Sequence, residues 1–148
     1  MARAIGQKNG EGMSDYILDS GILIRHLRNY SGYPGLVKRL TDEARVHISA
    51  MTRLEIVRGL HEPERQGTFA LLNSLETIAV TSGIADLAGE LIRSWRERGA
   101  TIGDVDAIIA ASASSRGLAL VTTNARHFPV KELTIYQADE EGHLTRRE

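Results

Sequence analysis

Three carboxylates and one amide carry the chemistry this chain is equipped for. Asp19 closes "DYILD", Glu55 lies within "AMTRLEIVRGL", Asp106 opens "DAIIAASASSRG", and Asn124 closes "LALVTTN". Acids gathered in one crevice repel one another, and at least one pKa must climb. A hard divalent cation removes that conflict. Mg²⁺ accepts a sparse set of oxygen ligands and keeps several waters. It can lower the pKa of water and offset charge building on a phosphate. Three acids and one amide are a weak cage for Ca²⁺. The chain has no Cys, and its five His are scattered with no i, i+4 pair, so the set does not suit zinc. The histidines are expected in surface or packing roles.

Each of these groups also has a plainer reading. Asp19 before Ser20-Gly21 suits a turn or the N-cap of the next helix. Thr52-Arg53-Leu54-Glu55 fits a capping box, with the glutamate bonding back to the Thr52 amide. Asp104 suits an N-cap, which leaves Asp106 in the first turn, where the helix dipole favours a carboxylate. Residues two apart do not face each other on a helix, so Asp104 and Asp106 have different tasks. Asn124 after Thr122-Thr123 suits an ordinary turn.

What must position these groups is an alternation of strands and helices. "YILD" at about 16–19, "RVHIS", "IAVT" at 78–81, a run at about 118–123 and "LTIYQ" read as short, continuously apolar strands. "ILIRHLRNY", "YPGLVKRLTDEA", "AMTRLEIVRGL" and "ERQGTFALLNSLETI" read as helices between them. The clearest period is Ile84, Leu87, Ala88, Leu91, Ile92 and Trp95, one helical face, with Gly99 as its stop. A further helix covers about 104–116 and stops at Gly117. The pattern predicts a three-layer α/β/α domain around a parallel sheet of about five strands. Ligands of such sheets sit beyond the carboxyl ends of the strands. Asp19, Glu55 and Asn124 belong on that edge. The placement of Asp104 and Asp106 depends on a topology that the sequence leaves open.

The 148 residues make one domain, expected over 14–138. At 42% apolar with few aromatics, its core is aliphatic. No apolar run is long enough to span a membrane. The absence of Cys fits a reducing cytoplasm. A net charge of −1 gives no global field for nucleic acid, so any such partner rests on local features. "MARAIGQKNGEG" has no apolar h-region and reads as a disordered or non-native tail over 1–13, with Met13 as an alternative start. "ADEEGHLTRRE" reads as a charged, frayed tail over 139–148.

The pieces "ILDSGILI", "ISAMTRLEIVRGL", "GELIRSWRERGATIGDVD" and "DAIIAASASSRGLALVTTNARHF" together resemble the PIN-domain ribonucleases, and within them the VapC-type toxins of toxin–antitoxin pairs. The resemblance runs from Asp15 to about Tyr136. It implies that Asp19, Glu55 and Asp106 hold Mg²⁺ or Mn²⁺, with Asn124 at a fourth position where many members carry aspartate. It implies hydrolysis of RNA to 5′-phosphate and 3′-hydroxyl ends, with transfer RNA as the leading target. It also implies a homodimer and a VapB-type antitoxin that blocks the site. Asp104, Ser20 and Thr122 are then expected behind the ligands. Arg25, Arg28, Arg53 and Arg126 are candidates for RNA phosphates. The competing readings are a PIN nuclease of RNA processing, a non-cutting PIN domain that binds RNA or protein, and an acidic-pocket receiver domain. The last needs a lysine on a late strand end, and none is there.

Overall fold

A computed structural model of the protein describes residues 15–148, so the tail expected over 1–13 lies outside the described residues. The apolar runs become strands β1 (Tyr16–Leu18), β2 (Val46–Ser49), β3 (Glu76–Ile78), β4 (Ala119–Thr122), β5 (Ile135–Ala138) and β6 (Leu144–Arg146). The amphipathic runs become helices α1 (Ser20–Leu27), α2 (Tyr33–Glu43), α3 (Ala50–Arg58), α4 (Arg65–Ser74), α5 (Ser82–Glu97) and α6 (Asp104–Arg116). The strand order is β3-β2-β1-β4-β5-β6. The first five are parallel, and β6 joins β5 antiparallel.

Alternate strand residues face alternate layers. Tyr16, Leu18, Ile48 and Val121 join a core with α1, α2, α3 and α4 on one face. Ile17, Leu120 and Ile135 join a second core with α5 and α6 on the other. The α/β/α architecture is thus as expected. In α6 the small residues allow close packing: Ala107, Ala110, Ala111, Ser112 and Ala113 are all buried. Ser112 returns its hydroxyl to the Ile108 carbonyl at 2.8 Å, so its polarity costs the core nothing. The helix ends at Gly117, whose φ of +65° is the left-handed conformation that glycine adopts freely.

Three boundaries differ from expectation. The helix expected over "ERQGTFALLNSLETI" ends at Ser74, and the last residues of that stretch form β3, Glu76–Ile78, not 78–81. Its ladder with β2 pairs His47 with Glu76 and Ser49 with Ile78. Beyond it, Thr81 accepts the Ile84 N–H at 3.2 Å and caps α5, so it cannot extend the strand. The segment 139–148 is not a frayed tail. Asp139 Oδ1 accepts the N–H groups of Glu141 and His143, each at 2.9 Å, and Gly142 takes a φ of +82°. That tight turn returns the chain as β6, a sixth strand on the edge beside β5. Arg147 then donates to the carbonyls of Phe128 and Val130 and fastens the end down.

Candidate active site

A helix that follows a parallel strand starts at the carboxyl edge of the sheet. A helix that feeds one runs the other way, so it also starts there. α1 and α3 are of the first kind, and α6 is of the second. The N-terminal turns of α1 and α6 and the middle of α3 line one cleft at that edge. An open cavity of about 540 Å³ lies there, lined by Asp19, Ser20, Gly21, Glu55, Gly103, Asp104, Val105, Asp106, Thr123, Asn124 and His127. The four residues singled out for chemistry therefore share one cleft.

Asp19 is held at both oxygens. Oδ1 accepts the Ser20 N–H at 2.8 Å, which makes Asp19 the N-cap of α1. Oδ2 accepts the Thr122 hydroxyl, also at 2.8 Å. Thr122 is fully buried, and its Oγ1 in turn accepts the Asn124 N–H at 3.0 Å. The capping reading of Asp19 holds, and the cap also lines the cleft. The capping-box reading of Glu55 does not. The N-cap of α3 is Ser49, whose Oγ accepts the Met51 N–H at 3.0 Å. Glu55 is thus well inside the helix, and its carboxylate lines the cavity.

Asp104 is not an N-cap either. That position belongs to Gly103, which has no side-chain bond to offer. Asp104 and Asp106 both lie in the first turn of α6 and both line the cavity. Burial raises the Asp106 pKa above its usual 3.8, and the negative charge of Asp19 adds to that rise. His127 opposes the shift and Glu55 adds to it. This is like-charge crowding of the kind that a cation relieves.

His127 is the residue that sequence reasoning missed. A 3-10 turn over Ala125–His127 folds it back over Asn124. Its Nε2 meets Asn124 Nδ2 at 3.0 Å, and its Nδ1 faces Asp106 Oδ2 at 3.6 Å. A neutral ring with its proton on Nδ1 would accept from the Asn124 amide at Nε2, and the protonated ring is the form whose charge opposes the Asp106 shift. The only sequence signal was the i, i+3 spacing of Asn124 and His127.

The arginines divide. Arg126 is exposed on the same 3-10 turn. Arg25 stacks over Tyr30 and Tyr33, 5.8 and 5.6 Å from their ring centres. Arg28 lines a neighbouring groove of about 390 Å³ that shares Glu55 with the cleft. Arg53 is committed elsewhere. It donates to the Leu72 carbonyl at 3.2 Å, Thr77 Oγ1 at 3.3 Å and Asn73 Oδ1 at 3.0 Å. Those bonds tie α3 to α4 and β3, so the guanidinium is spent on the fold rather than offered to phosphate.

An all-oxygen set of three acids and an amide suits Mg²⁺ or Mn²⁺. Among the described residues, the acids and His whose ligand atoms come within 4.8 Å of one another are elsewhere: Asp139, Glu141 and His143, all exposed on the β5–β6 turn. The cleft acids are not such a set, so an ion there would be reached by some of them through its own waters rather than by every carboxylate directly.

The PIN domain model matches residues 16–132. "Ribonuclease VapC10" of Mycobacterium tuberculosis (strain CDC 1551 / Oshkosh) is 33% identical over 116 residues, covering 78% of this chain and 87% of the relative. "tRNA(fMet)-specific endonuclease VapC" of Shigella flexneri is 27% identical over 123 residues, covering 78% and 91%. Among solved structures, DNA-bound VapBC from Salmonella typhimurium matches with a TM-score of 0.72 at 27% identity, covering 83% of this chain and 97% of that one. No helix among the described residues is long and apolar enough to cross a membrane. Fold, family model and relatives agree: this chain belongs to the PIN-domain family, among its VapC-type ribonucleases.

Proposed function

We propose that this protein is the toxin of a VapBC-type pair, a Mg²⁺- or Mn²⁺-dependent endoribonuclease acting on transfer RNA, and that it works as a homodimer. The observation that carries the proposal is the meeting of Asp19, Glu55, Asp106 and Asn124 in one cleft, with the Asp106 pKa raised by burial and by its acidic neighbours. The relatives named for ribonuclease and tRNA-endonuclease activity support the reaction and its substrate class. The VapBC complexes among the structural relatives support an antitoxin partner.

Asp19, Glu55 and Asp106 would hold the ion, with the Asn124 amide as an uncharged fourth donor. A bound divalent cation supplies charge stabilisation at phosphorus and a more acidic water. The rest is done by the chain. Thr122 and the Ser20 amide fix the Asp19 carboxylate. His127 holds its Nδ1 proton toward Asp106 and its other nitrogen toward Asn124. Arg126 on the exposed 3-10 turn, Arg25 beside Gly21 and Arg28 in the neighbouring groove would bind backbone phosphates and so place the scissile bond over the acids. No protein nucleophile is required. An antitoxin segment that brings an arginine to the acids would silence the site through charge-assisted hydrogen bonds.

The test is cleavage of transfer RNA by the purified chain with Mg²⁺ or Mn²⁺, with and without EDTA. The expected result is metal-dependent cleavage leaving 5′-phosphate and 3′-hydroxyl ends, lost in Asp19→Asn. Cleavage that persists in EDTA or in that variant contradicts the proposal.

A further inference from the structure

β4 ends at Thr122, directly opposite Gln137 of β5. The backbone ladder stops there, and the chain turns through Thr123, Asn124 and Ala125 toward the cleft. The Gln137 side chain carries the pairing on. Its Oε1 accepts the Ala125 N–H at 2.7 Å. Its Nε2 donates to the Thr123 carbonyl at 2.6 Å and to the Ala138 carbonyl at 3.1 Å. Only this orientation of the amide works, because a flip would set N–H against N–H and carbonyl against carbonyl. Asn124 lies between the two groups that Gln137 grips, and its own N–H is taken by Thr122. Three anchors thus surround one residue at φ −147°, ψ 75°, a conformation with no helix or strand to hold it. Gln137 itself does not line the cavity.

We infer that Gln137 is a positioning residue that aims the Asn124 amide into the cleft and toward His127. The inference rests on the proposed nuclease site, since it assigns Gln137 a part in the reaction only through Asn124. Asn124 is the one uncharged member of the site, so the strong attraction of a carboxylate for a cation does not pull it into place. Its geometry has to be imposed by the backbone, and Gln137 imposes it.

A double-mutant cycle with a spectroscopic arm tests this. Gln137→Met keeps the length of the side chain and removes both polar groups. In the otherwise native chain, kcat should fall about tenfold or more while KM stays within about twofold. In an Asn124→Ala background the same substitution should change kcat by less than about twofold, because its effect runs through the missing amide. An equal loss in both backgrounds would overturn the inference, because Gln137 would then be supporting the fold alone. In NMR spectra of Gln137→Met, the Asn124 side-chain amide signals should move and Ala125 N–H exchange should speed by about tenfold or more, while Leu120 and Val121 stay protected. Unmoved Asn124 and Ala125 signals overturn the inference whatever the activity. If Gln137→Met loosens β4 as well, Gln137→Glu takes its place. It keeps the acceptor for Ala125 and sets a carboxylate against two carbonyls. Should the native chain cut no RNA, the nuclease reading falls and the spectra alone decide whether Gln137 positions Asn124.

Discussion

Thr122 Oγ1 donates to Asp19 Oδ2 at 2.8 Å, a bond between the ends of neighbouring parallel strands that joins residues 103 positions apart. The same oxygen accepts the Asn124 N–H, so one buried hydroxyl links two sides of the site. Thr122→Val keeps the shape and removes both bonds. Each is a net contribution of about 1 kcal/mol, and a buried partner left unpaired costs about 1–3 kcal/mol. Thr122→Val should lower cleavage by roughly tenfold or more, and Thr122→Ser should retain most activity. Steady-state cleavage of one RNA by the two variants checks this.

Asp106 makes the metal-free protein less stable than it needs to be. Its folded pKa is above the ordinary 3.8. The folded state is therefore penalised once the group ionises, and the penalty vanishes below the unfolded pKa, where both states are protonated. Asp106→Asn should raise the melting temperature of the metal-free chain at pH 7, by about 2–4 °C for each kcal/mol relieved. The gain should shrink to nothing as pH falls below about 4. Thermal melts in EDTA across that range show the sign. The same variant should cut no RNA.

Arg53 and Arg126 should part company. Arg53→Met loses three hydrogen bonds between α3 and the α4–β3 corner, so urea unfolding should show a stability loss of about 1–2 kcal/mol. Arg126→Ala touches no such network. It should leave stability unchanged, weaken RNA binding, and reduce the slope of log affinity against log salt by about 0.7 if it holds one phosphate of a single strand.

Two glycines give opposite predictions. A Cβ on Gly32 would come 2.2 Å from the Glu141 carbonyl oxygen, in the turn that starts β6. Gly32→Ala must push that backbone away, at a cost of about 1–3 kcal/mol. Gly35, inside α2, has nothing within 4 Å of the same position. Gly35→Ala should stabilise the chain by about 0.5–1 kcal/mol through helix propensity. Urea midpoints of the two variants settle both.

The long elements were legible because their signals are long. The face of α5 repeats over the twelve residues from Ile84 to Trp95, and Gly117 stops α6 in the conformation glycine adopts freely. Asp19 and Asn124 could be put on the carboxyl edge because each ends a strand, and Glu55 because its helix follows one. Asp106 could not, since its helix precedes its strand and only the strand order brings it round. β6 was missed because "LTR" is too short and too polar to show a period, and its cause is a turn built from Asp139 and Gly142. Asp104 and Thr52 misled because capping types are common at positions that do not cap. His127 left only its i, i+3 spacing from Asn124, because its place comes from a 3-10 turn and not from a repeat.

Mn²⁺ binding tests the central claim most directly, because two sets of acids compete for it. Affinity is to be measured by electron paramagnetic resonance for the native chain and for Asp19→Asn, Glu55→Gln, Asp106→Asn and Asp139→Asn. The cleft reading predicts that each of the first three loses about tenfold or more and that Asp139→Asn binds as the native chain does. If Asp139→Asn abolishes binding and the cleft variants keep it, the ion belongs to the exposed β5–β6 turn and the proposed mechanism is wrong.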